Sequence, residues 1–236
     1  MFYEGHDNIK QTVIKHGNTH STKTGVIFHS DIIGKYCYGT RVFSSNMRGS
    51  VLILRPTSDL YTRTLPCRTQ ILFTPDISQV LMRLQLRPGM RVVESGTGSG
   101  SLSVSITKAI LPTGYLHSFE FNKDRVEKAK ADFTKLGLAS FITVTHRDVL
   151  KKGFTLGQDD EPIMEGCMEA RILPGTIDAV FLDLPNPQIA VPHAYQILKK
   201  RGRLCNFSPC IEQVFKATQE MAKLGFYDIR TFECLS

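Results

Sequence analysis

No stretch of this sequence approaches the roughly 18 consecutive apolar residues that a membrane-spanning helix requires, so no membrane span is expected. The N-terminus lacks the apolar core of a signal peptide or a mitochondrial-type presequence, and a reducing compartment is the expected setting. Six cysteines, at 37, 67, 167, 205, 210 and 234, form no C-x-x-C pair, and no histidine stands at zinc-ligand spacing. That scatter argues against a disulfide framework and against a metal site. Cys205 falls in an apolar strand pattern and reads as a small buried hydrophobe. Internal repeats and low-complexity tracts are also missing.

What is present describes an ordinary globular chain. Its 236 residues, 42% hydrophobic and 22% charged, suffice for one sizeable α/β domain with a small appendage. A formal net charge of +7 points to an acidic partner, of which nucleic acid is the usual kind.

Residues 1–65 carry short β-like runs at 25–28, 39–43 and 51–54 separated by glycine, asparagine and serine, with no convincing helical period, and read as a small β-domain. Residues 66–90 form a linker containing a helix, for which Thr74 is the expected N-cap, Pro75 the first helical residue, and Ile77, Val80, Leu81 and Leu84 the apolar face. From 91 to 236 the chain alternates. Strands are expected at 91–95, 115–120, 141–149, 177–183, 202–208 and 227–235, with helices at about 99–111, 123–136, 189–199 and 211–224. Such alternation gives a mostly parallel, Rossmann-like sheet covered on both faces, with ligands at the carboxyl ends of its strands. The acidic segment 155–175 breaks the rhythm and reads as a surface insertion.

The most informative segment is Val92-Val93-Glu94-Ser95-Gly96-Thr97-Gly98-Ser99-Gly100-Ser101. A β-branched pair enters an acid and three glycines at alternate positions, as a strand does when it ends in a tight loop that opens a helix. Such a loop lets a nucleotide-like cofactor approach the backbone. The dinucleotide spacing is G-x-G-x-x-G, whereas the spacing here is G-x-G-x-G with Glu94 ahead; methyl donor, dinucleotide and merely structural glycines all remain open on this segment alone. Glu120 closes the strand 115–120, where a carboxylate can accept both hydroxyl protons of a ribose, and Asp148 closes the next, placed to accept from an adenine amino group. The second acid favours the methyl donor. Asp183, delivered by the apolar run 179–182 and followed by Leu184-Pro185-Asn186-Pro187, faces whatever lies beyond the donor methyl.

The glycine spacing with its leading acid resembles the first motif of the seven-stranded S-adenosylmethionine-dependent methyltransferases. Together with Thr69-Gln70-Ile71-Leu72, Phe181 to Pro187 and above all Phe207-Ser208-Pro209-Cys210-Ile211-Glu212-Gln213-Val214, the chain resembles the catalytic subunits of eukaryotic tRNA (adenine-58-N1)-methyltransferases over roughly 25–236. The resemblance implies a Rossmann-like methyltransferase sheet, S-adenosyl-L-methionine as cofactor, and transfer of its methyl group to N1 of adenine 58 of tRNA. It implies a donor site of Leu72, Glu94, Gly96, Gly98, Ser99, Gly100, Ser101, Glu120, Arg125, Asp148, Val149 and Asp183, with Asp183 also catalytic. Gln70, Ile71, Leu72, Phe73 and Thr74 would face the RNA; Lys23, Lys35, Arg41, Arg48, Arg63 and Arg68 are candidate phosphate contacts, with a solvated surface charge the alternative for each. Implied partners are tRNA and a non-catalytic related subunit in an α2β2 heterotetramer, in the nucleus. Members continue past the strand at 227–234 with one more strand, so a chain ending at Ser236 is expected to leave a sheet edge unpaired. Rival readings are a non-catalytic tRNA-binding subunit, a methyltransferase with another acceptor, and a dinucleotide oxidoreductase.

Overall fold

The computed structural model describes residues 1–4, 8–65, 71–156 and 171–234. Its contacts divide the chain into two compact units, Met1–Pro66 and Cys67–Ser236. In the first unit, β1 (Phe2–Tyr3), β2 (Ile9–Lys10), β5 (Arg41–Phe43) and β6 (Ser50–Ile53) form an antiparallel sheet in the order β2-β1-β6-β5, and β3 (Thr19–Thr22) pairs with β4 (Gly25–Phe28). A small core of Phe2, Ile27, Ile32, Val42, Val51 and Ile53 holds it. An α-helix here departs from the all-β expectation: α1 (Ser58–Thr64) follows Pro56, three residues past the end of β6, and Thr57 caps it by accepting from the Leu60 N–H at 3.3 Å. Seven residues with two buried positions are too short to show a helical period.

The second unit opens with α2 (Thr74–Leu84), whose N-cap position is Phe73, one residue earlier than the sequence indicates. Then follow β7 (Arg91–Ser95), α3 (Ser101–Ile110), β8 (Tyr115–Glu120), α4 (Lys123–Lys135), β9 (Ile142–His146), α5 (Val149–Lys152), β10 (Ile177–Asp183), α6 (Pro187–Ile197), β11 (Leu198–Phe207) and α7 (Ile211–Lys223). All five strands are parallel, in the order β11-β10-β7-β8-β9. Strand order reverses between β7 and β10, and that switch point is where an open parallel sheet leaves a crevice at its carboxyl edge. The central strands are covered on both faces: all six residues of β8 are buried, the polar His117, Ser118 and Glu120 among them. On one face Val93, Val180 and Leu182 pack with Ala190, Val191, Ala194 and Ile197 of α6 and Ala217 and Met221 of α7.

Three expectations need correction. The strand expected at 141–149 ends at His146, because Asp148 turns the chain into α5 and caps it, accepting from the Leu150 N–H at 3.2 Å. The helix expected at 189–199 ends at Ile197, and Lys199-Lys200-Arg201 belong to β11, where Arg201 at φ 66° marks a register irregularity and Lys199 reaches Asp178 at 2.6 Å. The strand expected at 227–235 is not formed over the described residues 227–234. Asp228 there takes φ 56°, which breaks extended backbone, and Tyr227, Ile229 and Phe232 are exposed. Residues 157–170 of the acidic insertion lie outside the described residues.

Candidate functional site

At the switch point a cavity of about 420 Å³ opens over the ends of β7, β8 and β10. Its size is that of a small-molecule site. Ile71, Leu72, Gly96, Gly98, Ser99, Ser101, Glu120, Arg125, Asp148, Val149 and Asp183, all singled out from the sequence, line it.

The glycine loop sets its floor. Gly96 donates to the Phe119 carbonyl at 2.9 Å and has φ +99°, and a Cβ there would lie 2.5 Å from the Asp183 carbonyl oxygen. Strain and collision together exclude any side chain, so the end of β7 can touch the end of β10 only through glycine. Gly100, also at positive φ, serves as N-cap of α3 and does not line the cavity; a Cβ on it would press on the Phe133 ring at 3.0 Å. Beyond it the first turn of α3 starts with Ser101, and a helix N-terminus carries the positive end of the backbone dipole.

Glu120, 5% exposed, receives the Gly98 N–H on one oxygen and the Asn122 N–H on the other, each at 3.0 Å, with the Arg125 guanidinium 3.5 Å away. A carboxylate offers about four acceptor sites, so two remain for a diol in the cavity. Asp148 presents its carboxylate to the cavity while capping α5, so the helix-capping and ligand-binding readings coexist in one side chain. Asp183 stands at the rim. Crowding of its carboxyl by protein, then the negative charge of Glu120, raise its pKa from the ordinary aspartate value, although the residue as a whole stays exposed.

Glu94 departs from its expected place. It does not line the cavity; it is 1% exposed, and its Oε2 accepts from the Ser103 and Ser118 hydroxyls, each at 2.6 Å. The Ser118 hydroxyl in turn meets that of Thr97 at 2.6 Å. This chain of hydroxyls joins β7, α3, β8 and the glycine loop beneath the cavity floor. Burial pushes the Glu94 carboxyl up to about 7. A leading acid in a sequence motif cannot reveal by itself whether it faces ligand or interior.

Of the five residues expected to face RNA, Ile71 and Leu72 line the cavity, Phe73 is 62% exposed at the head of α2, Thr74 begins that helix, and Gln70 lies outside the described residues. Among the basic residues, Lys35 pairs with Asp31 at 3.7 Å and Arg63 with Asp59 at 3.4 Å, Arg41 donates to Ser50 at 3.2 Å, and Arg68 lies outside the described residues. Sequence reasoning missed Thr97, Phe121, Arg147, Leu150, Leu184 and Pro185, which also line the cavity, as do the strand residues Ser95, Phe119 and Phe181 and Leu102 of α3. Phe121 and Arg147 directly flank predicted acids, and that adjacency was the available signal. Among the described residues no group of three or more His, Cys, Asp or Glu side chains could hold a metal ion, and no helix is long and apolar enough to cross a membrane.

Comparison with known proteins gives this geometry a context. Residues 49–236 match the family model described as the tRNA methyltransferase complex GCD14 subunit. The chain is similar to a tRNA (adenine(58)-N(1))-methyltransferase catalytic subunit of Dictyostelium discoideum, 43% identical over 235 residues, covering 100% of this chain and 71% of that protein. It is 41% identical over 233 residues to the corresponding catalytic subunit of Eremothecium gossypii, covering 96% of this chain but 57% of that one, so it spans little more than half of the latter's length. Among solved structures, a SAM-dependent O-methyltransferase from Thermotoga maritima matches with a TM-score of 0.76 at 24% identity, covering 95% of this chain and 77% of that one. The tRNA (m1A58) methyltransferase TrmI from Aquifex aeolicus matches with a TM-score of 0.66 at 22% identity, covering 89% and 74%. The fold is therefore that of a SAM-dependent methyltransferase.

Proposed function

This chain belongs to the family of the tRNA methyltransferase complex GCD14 subunit, and from that premise we propose that it is a catalytic subunit that methylates N1 of adenine 58 in tRNA. The observation that carries the reading is the meeting of Gly96 with Asp183, which sets a donor-binding loop directly against an acidic side chain at the cavity rim.

The residues present suit S-adenosylmethionine. Glu120 keeps acceptor sites for a ribose diol, Asp148 can accept from an adenine amino group, and the N-terminal end of α3 suits a carboxylate. When bound, this cofactor supplies a methyl group on a sulfonium, whose leaving group is already excellent. The protein's task is then alignment and exclusion of water, which can lower a barrier by about 7–11 kcal/mol. Adenine N1 carries its own lone pair and needs no general base. Asp183 accepts a hydrogen bond from the exocyclic amino group, which fixes the ring and stabilises the positive charge that develops on the base. N1 of a base stacked inside folded tRNA is out of reach of the cavity, so the base must leave its stack, at a cost of a few kcal/mol that phosphate contacts can offset.

The name of the relatives, a catalytic subunit, supports a non-catalytic partner subunit, and the net charge of +7 supports tRNA as substrate. An α2β2 stoichiometry and a nuclear location rest on the resemblance to the family's nuclear type. Calorimetric titration with S-adenosylhomocysteine and with NAD tests the site: the first should bind and the second should not. Binding of NAD alone would overturn the methyl-donor reading.

A further inference from the structure

The segment from Phe207 to Val214 is the most distinctive in the sequence, yet no residue of it lines the cavity. Its connection to the site runs through the loop after β10. That loop, Leu184-Pro185-Asn186, must hold Asp183 in place, and it has few means of its own. Pro185 and Pro187 have no N–H to donate. Asn186, at the N-cap of α6, has irregular backbone angles (φ −129°, ψ 68°) and makes no side-chain capping bond. The tether comes from a residue 28 positions away: Gln213, in the first turn of α7, donates its amide N–H to the Pro185 carbonyl at 2.8 Å. The turn that aims α7 is itself fixed by Asn206, which donates to the Ser208 hydroxyl at 2.9 Å.

The other half of the Gln213 amide argues that stability alone does not explain the residue. Its Oε1 is buried without a hydrogen-bond partner, as is the Oδ1 of Asn206. A buried amide with one orphaned end gains little for the fold. We propose that Gln213 is a positioning residue for methyl transfer, holding the Pro185 carbonyl so that Asp183 meets the amino group of the target base. This rests on the function proposed above and assigns to the distinctive segment a task in it. A displacement of about 1 Å in such an alignment can cost on the order of 100-fold in rate.

The test uses the full chain with its partner subunit, tRNA and S-adenosylmethionine, and two variants. Gln213→Met keeps the length of the side chain and removes both the donor and the orphaned oxygen; Gln213→Glu keeps an acceptor but cannot donate to a carbonyl. Both are expected to lower single-turnover kcat at saturating tRNA by about 10- to 100-fold. The Kd for S-adenosylhomocysteine should stay within about twofold, and the Tm of the Met variant should be no lower than that of the parent. Parent-like rates in both variants, or a loss that appears only as weaker donor binding or as unfolding of both, overturn the proposal while leaving the proposed function intact. A parent complex that makes no 1-methyladenosine removes the function and this proposal with it.

Discussion

On the donor side of the cavity, Glu94 and three hydroxyls, from Thr97, Ser103 and Ser118, form a buried chain that locks strand, loop and helix together. On the acceptor side, the loop after Asp183 is proline-rich and exposed at Pro185 and Asn186, and one amide from α7 tethers it. The two sides meet where Gly96 touches the Asp183 backbone. A donor is the same molecule in every turnover, so its half can be rigid and interior. A base that must swing out of folded RNA needs an open rim, and an open rim has to be positioned from behind.

Substitutions can separate the two sides. Asp183→Ala strikes the acceptor side alone and should lower kcat by about 10²- to 10³-fold, the scale for losing one group aimed at transition-state charge, with donor affinity nearly unchanged. Full activity in a single-turnover assay would remove its role. Glu94 tests the foundation of the donor side. Its carboxyl sits at about 7 against an ordinary value of 4.5, so the folded state binds the proton more tightly than the unfolded chain does. Its contribution to stability is thus fully present below about pH 4.5 and lost as the pH rises to about 7, a change of about 3 kcal/mol. Glu94→Gln should flatten that part of the profile, which denaturant midpoints at pH 5 and 8 would reveal; an unchanged profile contradicts the buried acid.

Glu120→Ala should weaken donor binding by about 10- to 100-fold, since hydrogen bonds to a charged group contribute about 1.5–3 kcal/mol, while leaving tRNA affinity unaltered. Calorimetry showing unchanged donor affinity refutes the diol assignment. The smallest effect expected is on Cys205 in β11. Burial raises its thiol to about 11, so at pH 8 only about one molecule in a thousand carries the thiolate, and iodoacetamide should label the exposed Cys210 and spare Cys205. Equal labelling would show that this edge of the sheet opens.

Much of the donor half was legible in the sequence. Strands 91–95, 115–120 and 177–183 are found with the bounds read from their apolar runs, because burial on both faces and the punctuation at each end leave little choice. Glycine spacing and the acids at 120, 148 and 183 located the cavity for the same reason, Glu120 and Asp183 closing their strands and Asp148 lying two residues past the end of β9. What remained hidden depends on three-dimensional partners. Glu94 and Glu120 are both strand-borne acids, and only packing shows that one faces the interior and the other the cavity. The residues at 227–234 have β-type side chains, but a strand needs a ladder, and Asp228 at φ 56° departs from one. The contact of Gln213 with Pro185 spans 28 residues and has no local signature.

The central claim is that the cavity at the β7/β10 switch point methylates adenine 58. The most direct measurement is mass spectrometry of nucleosides and mapped fragments from unmodified tRNA, incubated with S-adenosylmethionine, the partner subunit and either the parent chain or Asp183→Ala. The account predicts 1-methyladenosine at position 58 with the parent and its near absence with the variant. A different methylated nucleoside, or equal product from both chains, would contradict it.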